Sequence, residues 1–281
     1  MNNNKGYALV TGGSNGFGWE FAQLCAKDGY NLVLVARNTQ ELERAAAELR
    51  HRYNVDVVTL AKDLFNEDAA MDVYEEVTSR GLIVEILINN AGQGDYGVFH
   101  EGSLQRDLDL IQLNITTLVT LTKLFVKEMV ARGHGRVLQV SSLLGSVPTP
   151  LMAVYGATKA FVLKFSEALA HELKHTGVTV TALQPGASDT DFFHKAGAES
   201  TKEYQESSLS DPADVARDGY KALMSGEAKV ISGARNKVMG AMSNIMPDRL
   251  NAANMARHMQ PSDKRDRPVH PDRESDESGV S

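Results

Sequence analysis

The sequence predicts a doubly wound α/β fold: a single domain in which helices cover both faces of a parallel sheet of about seven strands. Along most of the 281 residues, short apolar runs alternate with longer segments of helical periodicity, which is the pattern of repeated strand and helix units. The runs NLVLVAR and EILINN are largely apolar, as expected for strands that crossover helices bury on both faces. Ligands bind such sheets at the carboxyl ends of the strands, so the loops after the strands are the candidate sites.

Seven apolar runs qualify as strands, and helical segments lie between nearly all of them. In chain order the runs are residues 7–10, 32–36, 56–60, 84–88, 136–140, 178–183 and 229–231.

The loop after the first strand has the composition of a phosphate-binding turn. Residues 11–18 read TGGSNGFG and lead directly into a helical segment. Glycines permit a tight turn and let a pyrophosphate approach the backbone N–H groups at the helix N-terminus. The sequence therefore predicts a bound nucleotide here; an ordinary tight connection is the alternative.

The end of the second strand indicates which nicotinamide cofactor binds. A dinucleotide fold places an acidic residue about 20 residues on to hold the ribose 2′-hydroxyl, but the residues here are Ala36, Arg37 and Asn38. Arg37 offers a guanidinium fork to a 2′-phosphate. We therefore expect NADP(H) rather than NAD(H), the alternative being that Arg37 is a solvated residue at the start of a helix.

Five motifs occur together in one order. They are TGxxxGxG at residues 11–18, NNAG at 89–92, VSS at 140–142, YGATK at 155–159 and PGxxxT at 185–190. In order and spacing the chain resembles the short-chain dehydrogenase/reductase family over about its first 235 residues. The resemblance implies an oxidoreductase that transfers a hydride between a nicotinamide and a carbonyl or alcohol group.

The predicted catalytic residues are Tyr155, Lys159, Ser142 and Asn114. Tyr155 and Lys159 are four residues apart on one helix face, where an ammonium group would lower the tyrosine pKa and make Tyr155 a general acid/base. By resemblance to the family, Lys159 also binds the nicotinamide ribose, Ser142 polarises the substrate carbonyl, and Asn114 supports a proton relay behind the lysine. Ser141 is expected to be structural.

The resemblance also implies a cofactor site built from the loops after the strands. Asp63 is similar to the family residue that binds the adenine amino group, and Phe17 stands where the family has a smaller branched residue. The residues expected at the site are Gly12, Ser14, Asn15, Gly16, Phe17, Gly18, Arg37, Asp63, Leu64, Asn90, Ala91, Gly92, Tyr155, Lys159, Pro185, Gly186 and Thr190.

The segment HELKH at residues 171–175 matches the zinc protease pattern HExxH. We expect it on the same helix as Tyr155, with both histidines about 160 to 200 degrees around the helix from that residue. They would then face away from the active site, so no metal site is expected. A zinc metalloprotease is retained only as a minor alternative, and a catalytically inactive nucleotide-sensing protein is another.

The substrate is specified only as a class. The segment after Thr190 is expected to set specificity, with Phe192 and Phe193 capping an apolar substrate before a helix that has Pro212 in its first turn. Further apolar residues are expected nearby: Leu143, Leu144, Val147, Met152 and Tyr96. Ketone, aldehyde, steroid-like and ketoacyl substrates remain open, and reduction is the expected direction.

The chain is expected to have three parts. Residues 1–235 form the dinucleotide-binding and catalytic domain. Residues 236–260 form a methionine-rich helical extension, interrupted by Pro247, that docks over the substrate cleft or between subunits. Residues 261–281 mix both charge signs with Pro and Ser and are expected to be disordered.

Composition limits the partners. A net charge of −7 without a basic cluster argues against nucleic acid. We find no leader pattern and no uninterrupted apolar run of membrane-spanning length, and the single cysteine excludes an internal disulfide. A cytoplasmic homodimer or homotetramer that acts on a small molecule is expected.

Overall fold

The structure, a computed structural model, describes residues 5–243 and 245–262. Seven strands form one fully parallel sheet in the order β3-β2-β1-β4-β5-β6-β7, which confirms the predicted fold class. Each predicted strand is present within one residue at either end. The strands are β1 Tyr7–Thr11, β2 Asn31–Ala36, β3 Val57–Ala61, β4 Val84–Asn89, β5 Gly135–Val140, β6 Val178–Gln184 and β7 Lys229–Ile231.

Helices cover both faces of the sheet. One face packs against α1, α2 and α9, and the other packs against α3, α5 and α6. The helices are α1 Gly16–Lys27, α2 Thr39–Tyr53, α3 Ala69–Ser79, α4 Leu104–Ile111, α5 Leu118–Arg132, α6 Ala153–Glu172, α7 Phe192–Lys195, α8 Lys202–Glu206, α9 Pro212–Ser225, α10 Ala234–Ser243 and α11 Asp248–His258.

Strand β2 shows why a strand in this sheet can be apolar on both of its faces. Leu32 and Leu34 pack into the core under α1 and α2, whereas Val33 and Val35 pack into the core on the opposite face. Side chains alternate between the two faces of a sheet, and both faces are covered here. The uninterrupted apolar run is therefore the signature of a two-sided core.

Helices α4 and α5 are joined without a break by a π-helical turn, Gln112–Thr117. The combined helix, Leu104–Arg132, is long and apolar enough to cross a membrane by length and composition, and half of its most apolar window is buried inside the fold. Phe125 and Met129 of this helix lie in the core beneath the sheet. Packing against that core accounts for its hydropathy.

The expected placement of HELKH is wrong in one respect. Helix α6 ends at Glu172, so His171 lies in its last turn and His175 lies beyond it. Both histidines are exposed, and they do not occupy successive turns of one helix as the zinc pattern requires. Within residues 5–243 and 245–262, no three His, Cys, Asp or Glu side chains are grouped to hold a metal ion.

The methionine-rich segment forms α10 and α11, and Pro247 stands at the start of α11 as the N-cap. The chain then pairs with the segment around α8. Pro261 forms a bridge with Thr201, and the Ser262 N–H donates to the Ser200 carbonyl. These two residues of the predicted tail are therefore held in place, and residues 263–281 lie outside the described part. The three-part division of the chain stays a prediction.

Candidate active site

A cavity of about 1330 Å³ lies at the carboxyl ends of the strands. Every residue predicted at the cofactor site lines it except Gly18, and Ser142 lines it too. The individual roles of these residues stay predictions. The structure shows that loops far apart in the sequence converge on one space, as expected for the strand ends of an open parallel sheet.

The turn after β1 is a cradle of backbone atoms. Gly12 has a φ of 66° and donates its N–H to the Val35 carbonyl, a conformation that favours glycine. A Cβ on Gly18 would lie 1.9 Å from the Gly12 carbonyl oxygen, so Gly18 allows α1 to pack tightly against the turn and does not form the cavity wall. The N-cap Asn15 makes no side-chain cap hydrogen bond. N–H groups of the first turn of α1 are thus available to a phosphate, which fits the predicted dinucleotide.

The turn is fixed from the neighbouring strand. The Asn90 amide donates to the carbonyls of Thr11 and Gly12, and the Thr11 hydroxyl accepts the N–H groups of Asn90 and Ala91. The loops after β1 and β4 are therefore locked to each other by side-chain hydrogen bonds.

Two basic side chains lie at the end of the cavity formed by β2 and β3, and only one is neutralised. Lys62 forms ion pairs with Asp72 at 3.0 Å and Glu76 at 3.9 Å. Arg37 is exposed and, among the described residues, has no carboxylate within ion-pair distance. Arg37 thus offers an uncompensated positive charge to an anionic group.

Three polar side chains meet where α6 faces the end of β5. Tyr155 and Lys159 lie on one face of α6, with the Lys159 Nζ 5.8 Å from the centre of the Tyr155 ring. Ser142 lies close enough to Tyr155 to lower its pKa, and Lys159 donates to the Val140 carbonyl at 2.8 Å. All three side chains are at most 7% exposed. Ser141 instead donates to the Lys159 carbonyl at 2.7 Å, as a structural serine would.

The expected effect of Lys159 on Tyr155 is wrong in the structure. Burial raises the pKa of Tyr155 well above its usual value, and the lowering effect of the neighbouring Ser142 hydroxyl offsets this only in part. Burial also lowers the pKa of Lys159 to about 8, because a low-dielectric site disfavours the ammonium form. The tyrosine therefore carries its proton at neutral pH, which is the form required of a proton donor.

Asn114 lies behind the cluster of Ser142, Tyr155 and Lys159. It lies in the π-helical turn and is buried. Its amide donates to the Gln93 carbonyl and to the Thr158 hydroxyl, and its carbonyl oxygen accepts the Gln93 N–H. Such π turns are frequent at functional sites because they redirect a side chain out of the helical register. Asn114 connects the loop after β4 to α6 without lining the cavity itself.

Two polar side chains near the site make hydrogen bonds that the sequence does not predict. Gln184 donates to the Ser142 carbonyl at 3.2 Å and to the Ser146 hydroxyl at 2.7 Å. Arg106 donates to the Gln93 side chain at 2.9 Å and to the Gly94 carbonyl at 3.1 Å. Gln184 directly precedes the PGxxxT motif, which is the only sequence signal for its position; Arg106 has none.

The remaining wall of the cavity contains a large apolar part, alongside polar and charged side chains such as Lys195 and Glu203. The Phe192 ring lies 4.9 Å from the Tyr155 ring, and Phe193 is buried next to Tyr204. Tyr96 does not line the cavity as expected but donates its hydroxyl to the Met259 carbonyl. Six methionines complete the wall: Met152, Met239, Met242, Met246, Met255 and Met259. Of the two expected positions for the methionine-rich segment, the structure shows the one over the cleft.

The chain matches a known protein family and is similar in sequence to curated proteins. The family model described as short chain dehydrogenase matches residues 6–201. A very-long-chain 3-oxoacyl-CoA reductase from Pyrenophora tritici-repentis is 40% identical over 184 residues, which are 63% of this chain and 53% of that protein. The chain thus spans about half the length of the curated relatives it matches.

Solved structures are similar over most of the chain. A short-chain dehydrogenase from Sphingobium yanoikuyae in complex with NADPH is 31% identical with a TM-score of 0.76, covering 86% of this chain and 95% of that one. A 7beta-hydroxysteroid dehydrogenase is 25% identical with a TM-score of 0.81, covering 89% and 96%.

Proposed function

Because the chain belongs to the short-chain dehydrogenase family of oxidoreductases, we propose that it is an NADP(H)-dependent carbonyl reductase with a bulky apolar substrate. One observation carries the proposal. The neighbouring side chains of Ser142 and Tyr155, with Lys159 beside them, line the same cavity as the glycine turn and Arg37. A cofactor held by the turn and a carbonyl held by Ser142 would therefore share one cavity.

The residues present fit a phosphorylated dinucleotide. The first turn of α1 would hold the pyrophosphate, Asp63 and Leu64 would lie beside the adenine, and Arg37 would hold the 2′-phosphate. The reduced nicotinamide supplies the hydride when it is bound. NADPH is present in the similar Sphingobium yanoikuyae structure, which supports the choice of NADP(H).

The chain's own residues would handle the proton and the oxygen. Ser142 would donate a hydrogen bond to the carbonyl oxygen and stabilise the negative charge that develops there. Tyr155, which is protonated at neutral pH because of its burial, would donate the proton that completes the alcohol. Lys159, held by the Val140 carbonyl, lies close enough to support the tyrosine as it loses that proton.

The apolar wall supports a substrate with a bulky carbon skeleton or an acyl chain. Phe192 and six methionines belong to it, and unbranched methionine side chains adapt to irregular shapes. The names of the relatives include a very-long-chain 3-oxoacyl-CoA reductase and a 7beta-hydroxysteroid dehydrogenase, which name an acyl chain and a steroid skeleton. A 3-oxoacyl thioester and a bulky ketone are therefore the first substrates to test. The cytoplasmic location and the homodimer or homotetramer stay predictions from the sequence.

The test is consumption of NADPH with a medium-chain 3-oxoacyl thioester and a bulky cyclic ketone, for the wild type and Tyr155→Phe. We expect turnover by the wild type and loss of at least about 100-fold in the variant, with binding of NADPH by calorimetry unchanged. Unchanged turnover in the variant would refute the role of Tyr155. Binding of NADPH without turnover of either substrate class would favour a nucleotide-sensing protein.

A further inference from the structure

The loop after β3 places an aromatic ring beside Arg37. The Arg37 guanidinium carbon lies 5.5 Å from the centre of the Phe65 ring, and both side chains line the cavity. A guanidinium within about 6 Å of an aromatic ring centre is attracted by the electrons of the ring face. Arg37 has this contact and no ion pair among the described residues.

Phe65 itself is anchored from several sides. Its N–H donates to the Asp63 carboxylate at 3.2 Å, and the preceding carbonyl, that of Leu64, accepts from the buried Thr117 hydroxyl at 2.9 Å. The ring packs against the core formed under α3 and α5. A second guanidinium, that of Arg106, lies 5.7 Å from the same ring centre.

Arg37 and Phe65 differ in the conformational freedom of their side chains. An exposed arginine has four side-chain torsions and loses considerable entropy when it is fixed in one geometry. Phe65 is half-buried, and two hydrogen bonds, to the Asp63 carboxylate and from the Thr117 hydroxyl, hold the backbone beside it. Its ring is therefore already fixed in place. Contact with such a ring reduces the number of orientations open to Arg37 before any ligand arrives, which lowers the cost of binding an anion.

We propose that Phe65 is a positioning residue for coenzyme choice: its ring holds the Arg37 guanidinium ready for the 2′-phosphate of NADP(H). This inference rests on the proposed preference for NADP(H). It adds a residue outside the glycine turn and outside the end of β2 to the determinants of that preference. Phe65 acts through Arg37 and is not required to touch the reacting atoms.

The experiment measures binding of two fragments by calorimetry, adenosine 2′,5′-bisphosphate and 5′-AMP, to the full chain. The variants are Arg37→Ala, Phe65→Leu, which keeps apolar packing but removes the ring, and Phe65→Tyr, which keeps the ring. We expect the wild type to prefer the bisphosphate by about tenfold or more. Phe65→Leu should reduce that ratio by about two- to fivefold, Phe65→Tyr should restore it, and Arg37→Ala should abolish it.

The outcomes separate the inference from the proposed function. A wild type with no preference for the bisphosphate would contradict the NADP(H) assignment itself. A wild-type preference that Phe65→Leu leaves unchanged would overturn the role of Phe65 alone. Equal weakening of both fragments in Phe65→Leu would also overturn it, because the ring would then serve the adenine and not Arg37. Thermal unfolding of each variant checks that the loop after β3 is still folded.

Discussion

The two ends of the cavity differ in what shapes them, which is short loops at one end and side chains from helices at the other. The coenzyme end consists of short loops whose shape is set by hydrogen bonds between backbone groups and the side chains of Thr11 and Asn90, with the Gly12 N–H bonded to the Val35 carbonyl. The substrate end consists of side chains from distant segments, chiefly Phe192 and the methionines of α10 and α11. A backbone cradle fixes one ligand, whereas a methionine wall adapts to many. The difference indicates that the coenzyme end has a fixed shape, whereas substrate specificity can vary at the other end.

Adjacent serines at the meeting point of the two ends give the largest predicted contrast. Ser142→Ala removes the group that would stabilise the carbonyl oxygen and should lower kcat by about 100-fold. Ser141→Ala is the matched control, because that hydroxyl donates to the Lys159 carbonyl, and it should lower Tm while kcat stays within about threefold. Steady-state kinetics and thermal unfolding of both variants decide the assignment. Equal losses of kcat would show that the two serines are not distinguished as proposed.

Burial of Lys159 should give stability a characteristic pH dependence. Folding lowers its pKa from 10.5 to about 8, so between these values the unfolded chain binds more protons than the folded one. Stability contributed by this group therefore rises with pH in that window. Relative to Lys159→Met, the wild type should gain about 2 kcal/mol of unfolding free energy between pH 7 and pH 9.5.

Urea unfolding of both proteins at each pH measures that gain. The window stops below pH 10 because the raised pKa of Tyr155 acts in the opposite direction above it. A difference between wild type and variant that does not change with pH would show that Lys159 is not held in a desolvated site.

The apolar end should respond to loss of a ring without affecting the coenzyme end. Phe192→Ala opens the wall beside Tyr155 and should raise KM for a bulky ketone by about tenfold, with the Kd of NADPH unchanged. Phe161→Ala is the control, because Phe161 is 40% exposed on α6 and stacks on Phe165. A matching rise in the Kd of NADPH would mean that the two ends are not independent.

A smaller effect is expected at the support of the catalytic serine. Gln184→Leu removes the hydrogen bonds to the Ser142 carbonyl and the Ser146 hydroxyl and should lower kcat by about two- to tenfold, with KM changed less. Gln139→Leu is a control: Gln139 is a buried glutamine that bonds Asn89 and Thr122 away from the cavity, so it should affect Tm but not kcat. A larger loss of kcat in Gln139→Leu than in Gln184→Leu would contradict the role of Gln184 in supporting Ser142.

Local spacing predicted the coenzyme end well, and packing explains why it predicted the substrate end less well. The glycine turn, each strand end and the pair on α6 are each encoded within a few consecutive residues, so periodicity and motif spacing are enough to locate them. Gln184 and Arg106 act through contacts between distant loops, for which a single sequence has no local signal. The pKa of Tyr155 was predicted in the wrong direction, because pairing with Lys159 is visible in the sequence and the extent of burial is not.

The central claim is that a hydride passes from the nicotinamide to a substrate carbonyl beside Tyr155. Mass spectrometry of the alcohol formed from a bulky ketone and NADPH deuterated on one face of nicotinamide C4 tests it directly, with the oppositely labelled NADPH as control. The account predicts that one of the two labels appears on the carbinol carbon and that Tyr155→Phe forms almost no labelled alcohol. Alcohol without deuterium from either label, or equal label from the wild type and the variant, would contradict it.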